Sequence, residues 1–127
     1  MSELPVPVKH FIDVNLESLA QLEALLLLHK TPQQAWTPVE LGKALYIPSE
    51  SAAALLADLT RRGLATPAGL NDAGYRFQST DAETAQAISD LAALYQERRV
   101  AIISQIYSKP LSKVQTFADA FRFTKEK

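Results

Sequence analysis

Two helices separated by the short break Tyr46-Ile47-Pro48 constrain this chain more than any other feature. Thr37-Pro38-Val39-Glu40 has the form of a capping box, in which the Thr37 hydroxyl accepts from the Glu40 amide while the Glu40 carboxylate reaches back. Pro38 suits the first helical position. The helix so started covers only residues 38–45, because Tyr46-Ile47-Pro48 breaks it. Another opens at Ser49, runs through Leu55, Leu56 and Leu59 to Arg62, and closes on Gly63, the residue type best able to take the left-handed position after a helix. A helix as short as the first is unstable alone. It must lay Leu41, Ala44 and Leu45 on its neighbours, and Ala44 and Ala53 are small enough to permit close approach at the bend. Ala53→Glu is therefore expected to be destructive.

Upstream, Ser18-Leu19-Ala20-Gln21 has the same capping form, and Leu19, Leu22, Leu25, Leu26 and His29 fall at helical spacing as far as Lys30. Leucines occupy nearly every face between positions 25 and 28, which implies burial on several sides. Residues 1–17 hold Pro5 and Pro7 without sustained periodicity and read as an extended, peripheral N-terminal extension with a short ordered piece at 10–14. After Gly63 the helical period stops. Residues 64–67 and 75–78 flank the turn formers Asn71-Asp72-Ala73-Gly74, the pattern of a hairpin. Thr80-Asp81-Ala82-Glu83 then starts a helix whose apolar residues Ile88, Leu91, Ala92, Tyr95, Ile102, Ile103 and Ile106 keep one stripe, with no Gly or Pro before Pro110. Continuous over 81–108, that helix would span 28 residues, about 42 Å at 1.5 Å per residue, and would outreach a small domain; the alternative is a helix bent near Arg98-Arg99 and folded on the core. Val114, Phe117, Ala118 and Phe121 make a last amphipathic helix.

This order of helix, tight break, helix, Gly-Leu, strand, turn, strand resembles a winged helix-turn-helix domain over residues 18–79. The second helix of the motif is Thr37-Pro38-Val39-Glu40-Leu41-Gly42-Lys43-Ala44-Leu45, and Ile47-Pro48-Ser49-Glu50 is the turn. Ala53, Leu56 and Leu59 form the buried side of the third helix, and Arg61-Arg62-Gly63-Leu64 leads into the wing. The whole chain is also similar to short bacterial proteins described only as regulators of transcription, through Phe117-Ala118-Asp119-Ala120-Phe121-Arg122. The resemblance implies a mainly α fold with a small β-hairpin, acting as a DNA-binding transcriptional regulator. Residues 80–127 would hold the C-terminal helices, with 81–108 as the dimerisation helix of a homodimer. The third helix would enter the major groove of double-stranded DNA and the wing would lie along the backbone. Ser49, Ser51, Arg61, Arg62, Arg76 and Lys43 are the expected DNA contacts, mostly to phosphate.

Charge distribution sets a second reading beside the first. The net charge is −1, but residues 1–97 hold six basic against twelve acidic residues, while 98–127 hold seven against two. Arginine, lysine, asparagine and glutamine are the usual readers of guanine and adenine, and none occurs between Pro48 and Thr60. Ser49 and Glu50 also suit helix capping and dipole matching. The alternative is a winged-helix interaction module that binds a protein partner and not DNA, through a smooth surface of Ala52, Ala54 and Leu55.

Other chemistry finds little footing. The chain has no cysteine, which removes disulfides and thiolate sites, and its two histidines, His10 and His29, lack metal-ligand spacing. Phosphate loops, dinucleotide fingerprints and nucleophile elbows are absent, so no enzyme, cofactor or metal is expected. Trp36, Tyr46, Tyr75 and Phe77 either enclose a small effector near the wing or serve as core. The longest apolar run, Ala52 to Ala57, has six residues against the roughly 20 needed to span a bilayer. A cytoplasmic protein without membrane contact is expected.

Overall fold

The computed structural model describes residues 4–107. Its elements are α1 (Val6–Asn15), α2 (Leu19–Lys30), α3 (Pro38–Leu45), α4 (Ser49–Arg61), β1 (Ala65–Ala68), β2 (Gly74–Phe77), α5 (Ala82–Glu97) and α6 (Arg99–Tyr107). The fold is mainly α-helical with one small antiparallel hairpin, as the sequence implies.

Local chemistry starts each helix where it starts. The Thr37–Glu40 box is complete: the Glu40 amide donates to Thr37 Oγ1 at 3.2 Å and the Thr37 amide to Glu40 Oε1 at 3.1 Å. Ser18 accepts from the Gln21 amide at 3.1 Å, but Gln21 Oε1 reaches one residue further back and accepts from the Glu17 amide at 2.7 Å. Asp81 caps α5, taking the Thr84 amide at 2.7 Å.

The bend between α3 and α4 turns on Tyr46, whose φ of 61° is left-handed, and on the Ile47 amide, which donates to the Gly42 carbonyl at 2.9 Å. The residue that permits the close approach is Gly42, where an added Cβ would lie 2.8 Å from the Ile47 carbonyl oxygen and 3.4 Å from Ser49 Cα. This corrects the expectation for Ala44 and Ala53. Ala44 is exposed, Ala53 is half-buried, and the inner side of α4 is Ala52, Leu56 and Leu59. Gly63, at φ 79°, ends α4 as expected, with the Leu64 amide returning to the Leu59 carbonyl at 2.8 Å.

Helix α2 runs through the core. Leu22, Ala24, Leu25 and Leu28 are fully buried, and α2 meets α3, α4, α5 and β2. In the hairpin, Ala65 pairs with Phe77, Thr66 with Arg76, Pro67 with Tyr75 and Ala68 with Gly74. Trp36 adds a one-residue bridge to Tyr75 through two backbone hydrogen bonds of 2.7 and 2.9 Å.

One expectation is overturned and one alternative is decided. Residues 6–15 form a helix whose Val8, Phe11 and Ile12 enter the core, not an extended periphery. The two prolines mark the N-cap and the first turn, where a missing amide proton costs nothing. Of the two readings of 81–108 the structure takes the bent one, leaving helical geometry at Arg98, with φ −126° and ψ 45°. Breaking there folds Ile102 and Ile106 into the shared core beside α1, where a straight rod would have carried them past it. Burying two isoleucines is worth about 3–6 kcal/mol, more than the few hydrogen bonds disturbed by a kink. The expected helix around 114–121 lies outside the described residues.

Alanine normally favours a helix interior over glycine by about 1 kcal/mol. At Gly42 the sign is expected to reverse: Gly42→Ala should lower stability by about 1–3 kcal/mol through overpacking at the bend, measured as a lower urea midpoint with an unchanged slope. The Thr84 amide bond holds the Asp81 carboxyl below the ordinary carboxylate range, so the charged cap's stabilisation is present above that range and is lost as pH falls through the lowered value. Asp81→Asn, which keeps an acceptor at the cap, should flatten the acid limb of the melting temperature against pH.

Candidate nucleic-acid interface

Helix α4 is amphipathic, so burying Ala52, Leu56 and Leu59 leaves Ser49, Glu50, Ser51, Ala54 and Ala57 in solvent. Ser49 is the first helical residue and not the cap. Pro48 holds the cap position and offers no side-chain bond there. Lys43 is exposed on α3, and Arg76 is exposed on β2, where the alternating strand pattern turns it away from the core. Neither makes an ion pair among the described residues.

The two arginines at the end of α4 behave differently. Asp58 accepts from both, Oδ1 bonding Arg61 and Oδ2 bonding Arg62 Nε at 2.9 Å. Arg61 keeps a 65% exposed side chain, whereas Arg62 is 19% exposed and turns towards the α1–α2 junction. There its guanidinium reaches the Val14 carbonyl at 3.2 Å and Glu17 at 3.5 Å. Of the six residues expected at a DNA face, Lys43, Ser49, Ser51, Arg61 and Arg76 are solvent-facing, and Arg62 is committed inward.

Behind Asp58 lies the one buried polar side chain among the described residues, Gln21. Its Nε2 donates to the Asn15 carbonyl at 2.7 Å and to Asp58 Oδ2 at 2.8 Å, while its Oε1 takes the Glu17 amide. Every polar atom of the carboxamide is thereby used, as burial demands. Helix α6 fastens to the same junction, because Tyr107 Oη accepts from the Leu19 amide at 2.7 Å and Gln105 donates to Asp13 at 2.8 Å. Sequence reading does not reveal this knot. Its one signal is Gln21 standing amid leucines on a helix buried on several sides.

The aromatic residues do not enclose a common cavity. Trp36, Tyr75 and Phe77 pack against the core, with Trp36 Nε1 donating to Thr31 Oγ1 at 3.0 Å and Phe77 edge-on to His29 at 5.1 Å. Tyr46 points outward at 94% exposure, beside a shallow hollow formed with Val39, Lys43 and Ile47. A larger open groove of about 890 Å³ lies between α2, α3 and α5 over Leu26, Leu27, Leu45 and Tyr95. Among the described residues no group of histidine, aspartate and glutamate can hold a metal ion, and no helix is long and apolar enough to cross a membrane.

A short helix, a tight turn, a second helix with a bare outer face and an immediate hairpin decide the architecture. The chain has the winged helix-turn-helix fold. It is similar to the crystal structure of MepR, a transcription regulator of the Staphylococcus aureus multidrug efflux pump MepA, with a TM-score of 0.50 and 18% identity over 94% of this chain and 89% of that one. A second structure, S. aureus MepR bound to ethidium bromide, aligns with a TM-score of 0.47 and 18% identity over 94% of this chain and 87% of that one. No protein-family model and no curated protein matches the chain.

If Gln21 carries the joint between this winged helix and α1, replacing it with a similar apolar shape must strand buried partners. Gln21→Leu should cost about 1–3 kcal/mol or more in urea unfolding. A change within about 0.5 kcal/mol, the usual range for a surface substitution, would show that the knot is dispensable.

Proposed function

We propose that the protein is a DNA-binding regulator of transcription in which the N-terminal half of α4 enters the major groove and the wing lies along the backbone. The observation that carries this reading is the bare outer face of α4, with Ser49, Ser51 and Ala54 in solvent, set at a rigid bend after α3. Lys43 and Arg76 meet phosphates, Arg61 adds a third cation, and the Ser49 and Ser51 hydroxyls bond phosphate or base edges. With no arginine, lysine, asparagine or glutamine along residues 49–60, sequence discrimination rests on the serines and on DNA shape, and it is modest.

The protein acts as a homodimer in the cytoplasm. Most of the apolar stripe in residues 81–108 is spent inside the chain, but Val100, Ile103 and Tyr107 share one outer face of α6, and Val100 is 78% exposed. That face meets its copy in the second subunit, so each phosphate contact occurs twice.

A second reading has an observation of its own. The smooth surface expected of Ala52, Ala54 and Leu55 does not form, because Ala52 is fully buried and Leu55 packs half-buried against the core; the solvent-open apolar hollow of Val39, Tyr46 and Ile47 is where a winged-helix interaction module would place a protein partner, without DNA. Salt dependence separates the two. The regulator binds duplex DNA at low salt with an affinity that falls steeply as salt rises. Lys43→Ala and Arg76→Ala should each flatten the slope of log K against log salt by about 0.9 for every phosphate that is no longer neutralised, hence about 1.8 per dimer. Tyr46→Ala should leave that slope unchanged. No duplex binding at low salt, together with a protein partner that Tyr46→Ala releases, favours the interaction module.

A further inference from the structure

We infer that Asp58 is a built-in restraint on DNA affinity, holding Arg61 away from phosphate, and that it is kept in place by Gln21. The inference rests on the DNA-binding reading and names the residue that sets its strength. Asp58 is only 22% exposed, yet it is the acceptor for three donors from two helices: Arg61, Arg62 Nε at 2.9 Å and Gln21 Nε2 at 2.8 Å. A carboxylate held from behind by a buried carboxamide cannot swing away with the arginine it binds. Arg61 must therefore leave Asp58 to reach a phosphate, exchanging one charge-assisted hydrogen bond for another.

Arg62 is no substitute, because it has further partners at Val14 and Glu17 and serves the joint with α1. The two cations at the C-terminal end of α4 are thus neutralised locally, one by position and one by a bond that has to break. Glu50 supplies the internal comparison. It lies on the same helix, is exposed, and makes no ion pair among the described residues. Its negative charge opposes DNA only through the general field, whereas Asp58 opposes it through Arg61.

The test is a double-mutant cycle on duplex DNA binding at low salt, using the full chain. Asp58→Asn should tighten binding about three- to tenfold and leave the salt slope unchanged, because Arg61 reaches the same phosphate in both proteins and only the cost of leaving Asp58 is removed. In the Arg61→Ala background the same substitution should gain little. Glu50→Gln should give a similar small gain whether or not Arg61 is present. An Asp58→Asn gain that survives Arg61→Ala overturns the restraint, since the charge alone would then account for it. Wild-type binding with no gain in Asp58→Asn overturns it while leaving the DNA reading intact, and absence of duplex binding in every variant overturns both. Asp58→Asn also disturbs the Gln21 knot, so the wild-type chain provides an independent check. The side-chain nitrogen resonances of Arg61 should shift when duplex is added and those of Arg62 should not; unchanged Arg61 resonances on a DNA-bound protein contradict the inference.

Discussion

The contact between Gly42 and the backbone of Ile47 and Ser49 is the constraint on which the rest of the molecule turns. Helix α3 is too short to persist alone, and α4 has too few buried residues to choose its own direction. Their relative orientation is set where the two backbones approach so closely that no Cβ fits between them. The Thr37–Glu40 box fixes where α3 begins, Tyr46 takes a left-handed conformation to end it, and Pro48 positions the first turn of α4. Once that corner is formed, the outward face of α4 follows from helical geometry. Ala52, Leu56 and Leu59 go inward at spacings of four and three, and the serines and Ala54 are left outside.

Much of this architecture is legible in the sequence because it is encoded by local chemistry. The capping boxes at Ser18 and Thr37, the break at Tyr46–Pro48, the glycine after α4 and the turn cluster before Gly74 are short-range signals, and each lies within a residue or so of the boundary it predicts. What escapes are features decided by tertiary burial. Pro5 and Pro7 suggest an extended lead-in but in fact begin a helix, and the Val8, Phe11, Ile12 spacing carries the better signal. Neither glycine nor proline marks Arg98, so the local pattern leaves a straight rod and a helix bent near Arg98-Arg99 both open. The core reclaims Ile102 and Ile106, and the helix yields. The small residue at the bend is hidden for a similar reason, because a helical glycine reads as a propensity cost until its neighbour is seen.

The candidate site is legible as a set of residue types and only partly as a geometry. Counting charges gives equal numbers of basic and acidic residues over 37–63, but counting does not say which charges meet. Asp58 sits at the flank of the outer face and holds Arg61 and Arg62, while Gln21 holds Asp58. The same α1–α2 junction receives Tyr107 and Gln105 from α6. The half of the molecule that carries the proposed dimer face and the half that carries the proposed DNA face are therefore joined through one small polar cluster in an otherwise apolar interior. Polar groups held this way favour a single arrangement of the elements they connect, because any alternative leaves a buried donor or acceptor unpaired.

The central claim is that the outer face of α4, as the α3 corner presents it, is the surface that meets DNA. Backbone amide shift mapping of the labelled full chain during titration with a random-sequence duplex at low salt tests it most directly. The account predicts that the largest perturbations fall on Ser49, Glu50, Ser51 and Ala54, with Lys43 and Arg76 beside them. Perturbations concentrated on α1 and α6, with α4 silent while the duplex is bound, would contradict it.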